Sequence, residues 1–259
     1  IVSMKKFCLD LTVSSAEKLS DKHVLLKLTY YEALPDMQPG QFVEVRVDNS
    51  PSTFLRRPIS INFVDRARNE LWLLVAAVGD GTRYLMTLRS GDILNCVLPL
   101  GNSFSTVAGG NKKKVLLVGG GVGVAPLLWQ GMCIKEDGGE PFFLLGARTG
   151  KDVLEKELFA NVGKVFITTE DGSEGEKGFV TNHSLLKKEN FDLVQTCGPK
   201  PMMMAIARYA LEQDIPCEVS LENMMACGVG ACLCCVEKTE QGNQCVCTDG
   251  PVFNIKKLL

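Results

Sequence analysis

Six of the eleven cysteines in this 259-residue chain fall between residues 227 and 247. Cys227-Gly-Val-Gly-Ala-Cys232-Leu-Cys234-Cys235 has the spacing C-x4-C-x2-C, and Cys245-Val-Cys247 follows it. This is the plant-type [2Fe–2S] spacing, in which thiolates hold two irons. A four-residue loop between the first two thiols can wrap a cluster while its N–H groups point at sulfur. Gly228 and Gly230 remove side chains that would block that approach, and they permit positive φ. Such N–H groups offset the negative charge of a cluster and tune its potential. Cys227, Cys232 and Cys235 supply three ligands, while Cys245 and Cys247 both qualify as the fourth; the turn Thr248-Asp249-Gly250 favours Cys247. Cys234 has no ligand role in this spacing. Zinc is the competing reading, but it prefers two C-x2-C pairs or a histidine, and His23 and His183 lie far off in sequence. Cys8, Cys96, Cys133 and Cys217 are scattered and suit small buried side chains.

Two glycine strings suit phosphate chemistry. Val115-Leu-Leu-Val-Gly119-Gly120-Gly121-Val-Gly123-Val-Ala-Pro126 reads as a strand, a glycine loop and a helix start. Gly120, Gly121 and Gly123 would let the backbone approach a pyrophosphate, which the free N–H groups of the helix N-terminus then bind. The order G-x-G-x-x-P departs from the Rossmann G-x-G-x-x-G. Cys197-Gly198-Pro199-Lys200-Pro201-Met202 also joins a strand to a helix, and its thiol could face a nicotinamide ring at the carboxyl edge of the sheet. Arg56-Arg57-Pro58-Ile59-Ser60 sets two cations at a strand start, where an arginine fork suits a diphosphate. Each string also has a plain structural reading: a tight βα turn, a Gly-Pro helix start, a solvated strand edge.

The elements that must carry these residues fall into three segments. Up to about residue 108, short β-rich runs alternate with turns: Val24–Thr29, Phe42–Val47, Ile59–Phe63, Leu71–Val78 and Ile93–Leu98 read as strands and Thr82–Leu88 as a helix. Close turns between many short strands predict an antiparallel β-barrel. A Gly- and Lys-rich link, Ala108–Lys114, follows. Residues 109–217 then alternate strands at Val115–Val118, Phe142–Leu145, Lys164–Thr168 and Leu193–Thr196 with helices at Val124–Ile134, Asp152–Phe159 and Pro201–Gln213. That alternation predicts an α/β domain with a parallel sheet. Residues 218–259 form the cysteine segment. A net charge of −2 gives no basic field for nucleic acid. No run of eighteen apolar residues suggests a membrane span, and Ile1–Cys8 lacks the apolar core of a secretory signal. A cysteine cluster at the end of a core-forming chain points to a reducing, cytoplasmic compartment.

With R-P-I-S, G-G-G-V-G-V-A-P and C-G-P-K-P-M in one order, the chain resembles the ferredoxin–NADP reductase superfamily. Ser220-Leu-Glu-Asn-Met-Met-Ala-Cys227-Gly-Val-Gly-Ala-Cys232 and Val246-Cys247-Thr-Asp-Gly-Pro-Val-Phe253 resemble, more narrowly, the electron-transfer subunits of NAD-linked, two-subunit dihydroorotate dehydrogenases. The resemblance runs from near residue 5 to the end. It implies FAD in the barrel, NAD on the α/β domain, a [2Fe–2S] cluster, and a partner catalytic subunit carrying FMN, in a heterotetramer serving pyrimidine (UMP) biosynthesis. It further implies that Arg57, Pro58, Ile59 and Ser60 hold FAD, that Leu74, Val75 and Ala76 line it through their backbone, and that Gly81 and Thr82 bind its phosphates. Cys227, Cys232, Cys235 and Cys247 are its implied cluster ligands. Gly228, Val229 and Leu233 are expected at the contact with the partner, where electrons must leave. Ile59 stands where the superfamily usually has an aromatic residue, so flavin stacking must come from elsewhere. Leu145-Gly146-Ala147-Arg148 offers no acid for an NAD ribose, and Arg148 could meet a 2′-phosphate. The alternatives are a diaphorase subunit serving a hydrogenase, a sulfide dehydrogenase or a ferredoxin, and a redox-sensing module without turnover.

Overall fold

A computed structural model describes residues 5–48, 50–106 and 112–258; most of the expected link, residues 107–111, lies outside the described residues. The chain divides into two compact units. The first comprises Ile1–Ser103, Asn223–Glu237 and Asn243–Pro251, and the second Phe104–Glu222, Lys238–Gly242 and Val252–Leu259.

The first unit is built on a closed barrel of β1 (Phe7–Ser20), β2 (His23–Thr29), β3 (Phe42–Val45), β4 (Arg57–Asp65), β5 (Glu70–Ala76) and β6 (Ile93–Leu100). The strand order is β1-β2-β5-β4-β3-β6 and neighbouring strands are antiparallel. Leu11, Val13, Leu26, Leu28, Ile61, Leu71, Leu73 and Leu98 are buried at alternate positions, the period that strands impose. β1 has no counterpart among the strands read from sequence. Its second half, Ser14–Ser20, is polar; Phe7–Thr12 pair with β6 and Thr12–Ser20 with β2, so each half is held by a different neighbour. The helix expected at Thr82–Leu88 is α1, Asp80–Leu85. It starts early because the Thr82 hydroxyl accepts the N–H groups of Val78 (2.9 Å) and Gly79 (3.0 Å) and so fixes its first turn.

The second unit contains β7 (Lys114–Gly120), α2 (Ala125–Glu136), β8 (Glu140–Ala147), α3 (Lys156–Val162), β9 (Lys164–Thr169), β10 (Glu176–Lys177), α4 (Leu185–Lys188), β11 (Leu193–Cys197), α5 (Lys200–Glu212) and β12 (Cys217–Ser220). A two-stranded sheet of β13 (Val236–Thr239) and β14 (Gly242–Cys245) follows, then β15 (Val252–Asn254). The main sheet runs β10-β9-β8-β7-β11-β12-β15, parallel except for the edge pair β12/β15. Val115–Val118 and Phe142–Leu144 are buried throughout, as strands of a covered parallel sheet must be. α2 packs on β7 and β8, and α5 on β11 and β12. The helix expected from Asp152 begins only at Lys156, because Gly150–Asp152 form a 3-10 turn and Glu155 adopts a left-handed φ of 53°. From β7 the chain proceeds outward through β8, β9 and β10, and β11 then takes its place on the other side of β7. That reversal makes the β7/β11 boundary a topological switch point, where open α/β sheets bind ligands. No helix among the described residues is long and apolar enough to cross a membrane.

Candidate functional site

The cysteine loop is shaped by backbone donors. The Val229 and Cys232 N–H groups point at Cys227 Sγ (3.5 and 3.4 Å), that of Gly230 at Cys247 Sγ (3.2 Å) and that of Cys247 at Cys235 Sγ (3.4 Å). Gly228 and Gly230 make this possible with φ of +67° and +80°. A Cβ on Gly228 would stand 2.7 Å from Glu44 Cγ, and one on Gly230 2.9 Å from Thr248 Cγ2. The turn after Cys247 is fastened to the end of the barrel: Asn102 N–H donates to Gly250 O at 2.6 Å, and its amide to Asp249 O at 3.0 Å.

The thiols gather around two contacts, Cys227 with Cys232 and Cys235 with Cys247, and the Cys235 thiol also meets Cys245. No three His, Cys, Asp or Glu side chains among the described residues converge as ligands of one metal ion. Two thiol pairs ringed by N–H groups fit a two-iron cluster better than a single tetrahedral ion. Desolvation pushes the Cys227 thiol up, but the N–H groups of Val229 and Cys232 and the Cys232 thiol outweigh it and hold it at about 6. Desolvation, with the neighbouring Cys235 thiol, pushes Cys247 up to about 12. Of the two candidates for fourth ligand, Cys247 is buried and takes the Gly230 N–H. Cys245 is half-exposed, with its own N–H on Asp249 Oδ2 at 2.7 Å. Cys234 is exposed, as are Met224 (81%), Leu233 (64%) and Val229 (42%).

On the barrel, Arg57, Pro58, Ile59 and Ser60 open β4. The ladder between β4 and β5 ends at Ile61–Leu73, so Arg57–Ser60 and Leu74–Ala76 run on without pairing to each other. This leaves a backbone notch between the two strands. Arg57 lies against Gly81, where a Cβ would meet its Nε at 3.1 Å and Thr53 Cγ2 at 3.0 Å. Arg57, Gly81 and Thr82 are thus brought to one place, as a diphosphate clamp requires. Ile59, Leu74 and Val75 bury their side chains, so only their main chain is available to a ligand. These features fit a flavin nucleotide held by backbone and guanidinium.

The two glycine strings meet at the switch point, where Cys197 pairs with Gly119. A Cβ on Gly123 would lie 2.4 Å from Gly198 Cα, one on Gly198 3.0 Å from Gly120 N, and one on Gly120 2.6 Å from Met202 Sδ. The glycines are therefore needed first for packing one turn on another. Gly121, at φ +54°, alone faces open space. Gly121–Val124 is a 3-10 turn, and α2 follows with Pro126 in its first turn. Pro199 caps α5. The Cys197 thiol is fully buried, 3.8 Å from Glu222 Oε1, so it faces the interior instead of an open ring site. Desolvation, and then the Glu222 charge, push that thiol well above its ordinary value.

Sequence reasoning passed over three acids. Glu44 is fully buried beneath Gly228, and desolvation pushes it up to about 7. Glu222, also raised by desolvation, closes over Cys197. Asp171, past the end of β9, donates its N–H to Arg148 O (3.3 Å). The main chain of an acid is thus tied to that of Arg148, while the Asp171 carboxylate accepts from the Ser173 N–H and hydroxyl (2.9 and 2.6 Å). The turn signal Asp171-Gly172-Ser173 was available to find it.

Comparison with known proteins agrees with this geometry. Residues 222–259 match the family model "Iron-sulfur cluster binding domain of dihydroorotate dehydrogenase B", and residues 117–208 match "Oxidoreductase NAD-binding domain". The chain is 40% identical over 227 residues to the dihydroorotate dehydrogenase B (NAD(+)) electron transfer subunit of Shouchella clausii, covering 86% of each chain. To its counterpart in Bacillus velezensis it is 36% identical over 251 residues, covering 96% of this chain and 97% of the relative. Among solved structures, one of an NADH-dependent reduced ferredoxin-NADP oxidoreductase, described for flavin-based electron bifurcation, aligns with a TM-score of 0.86. It has 30% identity and covers 96% of this chain and 89% of that one. The flavohem-like FAD/NAD binding domain of a Vibrio cholerae nitric oxide dioxygenase shares the fold, with a TM-score of 0.68 at 20% identity over 81% of this chain and 97% of that one.

Proposed function

The chain belongs to the family of dihydroorotate dehydrogenase B electron transfer subunits, and on that premise we propose that it carries electrons from the FMN of a catalytic partner subunit, by way of a [2Fe–2S] cluster and FAD, to NAD+ in pyrimidine (UMP) biosynthesis. The observation that carries this reading is the cysteine loop, whose four backbone N–H contacts to sulfur occur in a chain that also has two nucleotide-binding motifs. When bound, the flavin supplies the junction between single-electron and hydride chemistry.

The residues of this chain do the holding and shielding. Cys227, Cys232, Cys235 and Cys247 are the proposed cluster ligands, with Gly228 and Gly230 clearing space for the N–H groups. Arg57, Gly81 and Thr82 hold the flavin diphosphate, while the main chain of Pro58–Ser60 and Leu74–Ala76 lines the notch for its ring. Gly120, Gly121, Gly123, Gly198 and Pro199 form the NAD site at the switch point, Cys197 contributing main chain only, with Gly121 nearest the ligand because nothing of the protein fills the space before it. Asp171 beside Arg148 favours NAD over NADP, since its charge repels a 2′-phosphate. Functionally the chain divides into an FAD segment (1–108), an NAD segment (109–217) and a cluster segment (218–259). No side chain here acts as acid or base on dihydroorotate, whose site belongs to the partner. The proposed setting is a cytoplasmic heterotetramer, two of each subunit, with Val229 and Leu233 at the contact.

The likeness to the ferredoxin-NADP oxidoreductase structure supports a second reading, an NAD(P)H diaphorase subunit with another partner. Both readings require about two irons and one FAD per chain, together with NADH oxidation by an artificial acceptor. A chain purified with its partner that contains neither cofactor would refute both. Reduction of the complex by dihydroorotate separates them.

A further inference from the structure

Glu44 is the least explained side chain in the first unit. It lies on β3, is fully buried, and neither carboxylate oxygen has a hydrogen-bond partner. A buried carboxylate is normally paired. Two cations are at hand, yet neither takes it. Among the described residues, the Arg56 guanidinium bonds the Glu44 and Asn95 carbonyls and Asn95 Oδ1, and that of Arg57 bonds the Leu55 and Arg56 carbonyls. The carboxylate instead rests against the cysteine loop, where a Cβ on Gly228 would stand 3.3 Å from Oε1. Leu100, itself buried, packs against the same spot. An acid kept in so costly a place, where a leucine would pack, marks function before stability.

We propose that Glu44 is a positioning residue for electron flow: its carboxylate, buried against Gly228, sets the potential at which the cluster held by the adjoining cysteines accepts an electron. The inference rests on the [2Fe–2S] reading. Reduction adds one electron and one negative charge to the cluster, and the ionised form of a buried carboxyl beside it opposes that charge. Glu44 therefore lowers the potential and helps the cluster pass its electron onward.

The test is a redox titration of the purified complex at pH 9, where a carboxyl is ionised, following the reduced-cluster EPR signal in wild type, E44Q and E44D. E44Q keeps the shape and removes the charge. Its midpoint should rise enough to change the oxidised-to-reduced ratio about tenfold, roughly 59 mV for one electron. E44D should return most of the way to wild type, with the same iron and FAD content. An unchanged or lower midpoint in E44Q would overturn the proposal, and so would loss of iron from both variants, which would make Glu44 a structural residue. Wild-type complex with no reduced-cluster signal would overturn the cluster reading and this inference together.

Discussion

Replacing Cys247 by serine should remove the cluster, because it deletes the thiol that accepts the Gly230 N–H inside the loop. Replacing Cys245 should leave about two irons per chain, since this thiol stands outside the N–H cage. Iron analysis and visible absorption of the two variants decide between them; the opposite pattern would make Cys245 the ligand. At the switch point, G123A would place a Cβ 2.4 Å from Gly198 Cα, against backbone that cannot turn aside. Overpacking of this kind costs about 1–3 kcal/mol, so the variant should unfold at lower denaturant and bind NADH more weakly. An unchanged midpoint and NADH affinity would show that the two turns are loosely packed. The residues legible in the sequence were those with fixed spacing, such as Cys227, Cys232 and Cys235. Glu44 was not, because a buried acid and a solvated one look the same in a string of letters.

The elements carry two further expectations. Arg57 reaches Gly81 only because β4 and β5 part beyond Ile61–Leu73, so R57A should release FAD on gel filtration while leaving the far-UV spectrum intact. Retention of FAD at wild-type level would place its diphosphate elsewhere. His183, before α4, has its pKa lowered by burial, only partly offset by the Glu176 charge. The unfolded chain therefore binds more protons than the folded one as pH falls through the ordinary histidine value, about 6.5. Stability from this residue is present above that value and is lost below it, down to the folded pKa. H183Q should flatten the fall in denaturation midpoint as pH drops below about 6.5; an equal slope in both proteins would assign the loss to other groups. Glu176 is held low by its Ser184 hydrogen bonds and contributes only further into acid. The buried strands β7, β8 and β11 were readable as apolar runs. β1 was not, since half of it is polar and only its two neighbours make it a strand. α3 starts late because Glu155 takes a left-handed turn that no periodicity records.

At the scale of the whole molecule, the barrel and the α/β sheet were both foreseeable from the change in pattern along the chain. The division of the cysteine segment was not. Asn223–Glu237 and Asn243–Pro251 belong with the barrel, whereas Lys238–Gly242 and Val252–Leu259 belong with the sheet. That assignment depends on tertiary contacts: Asn102 fastens the turn after Cys247 to the barrel, and β15 pairs with β12 in the sheet. Cluster ligands and flavin motif thus share one compact unit, while the NAD motif lies in the other, a sensible order for a chain that takes in single electrons and gives out hydride. The most direct measurement mixes dihydroorotate and NAD+ with the catalytic subunit, with and without this chain, and records absorbance at the NADH band. NADH should form only when this chain is present, and not with C247S. Dihydroorotate oxidation that never yields NADH, in a complex that still holds its FAD and iron, would contradict the proposed function.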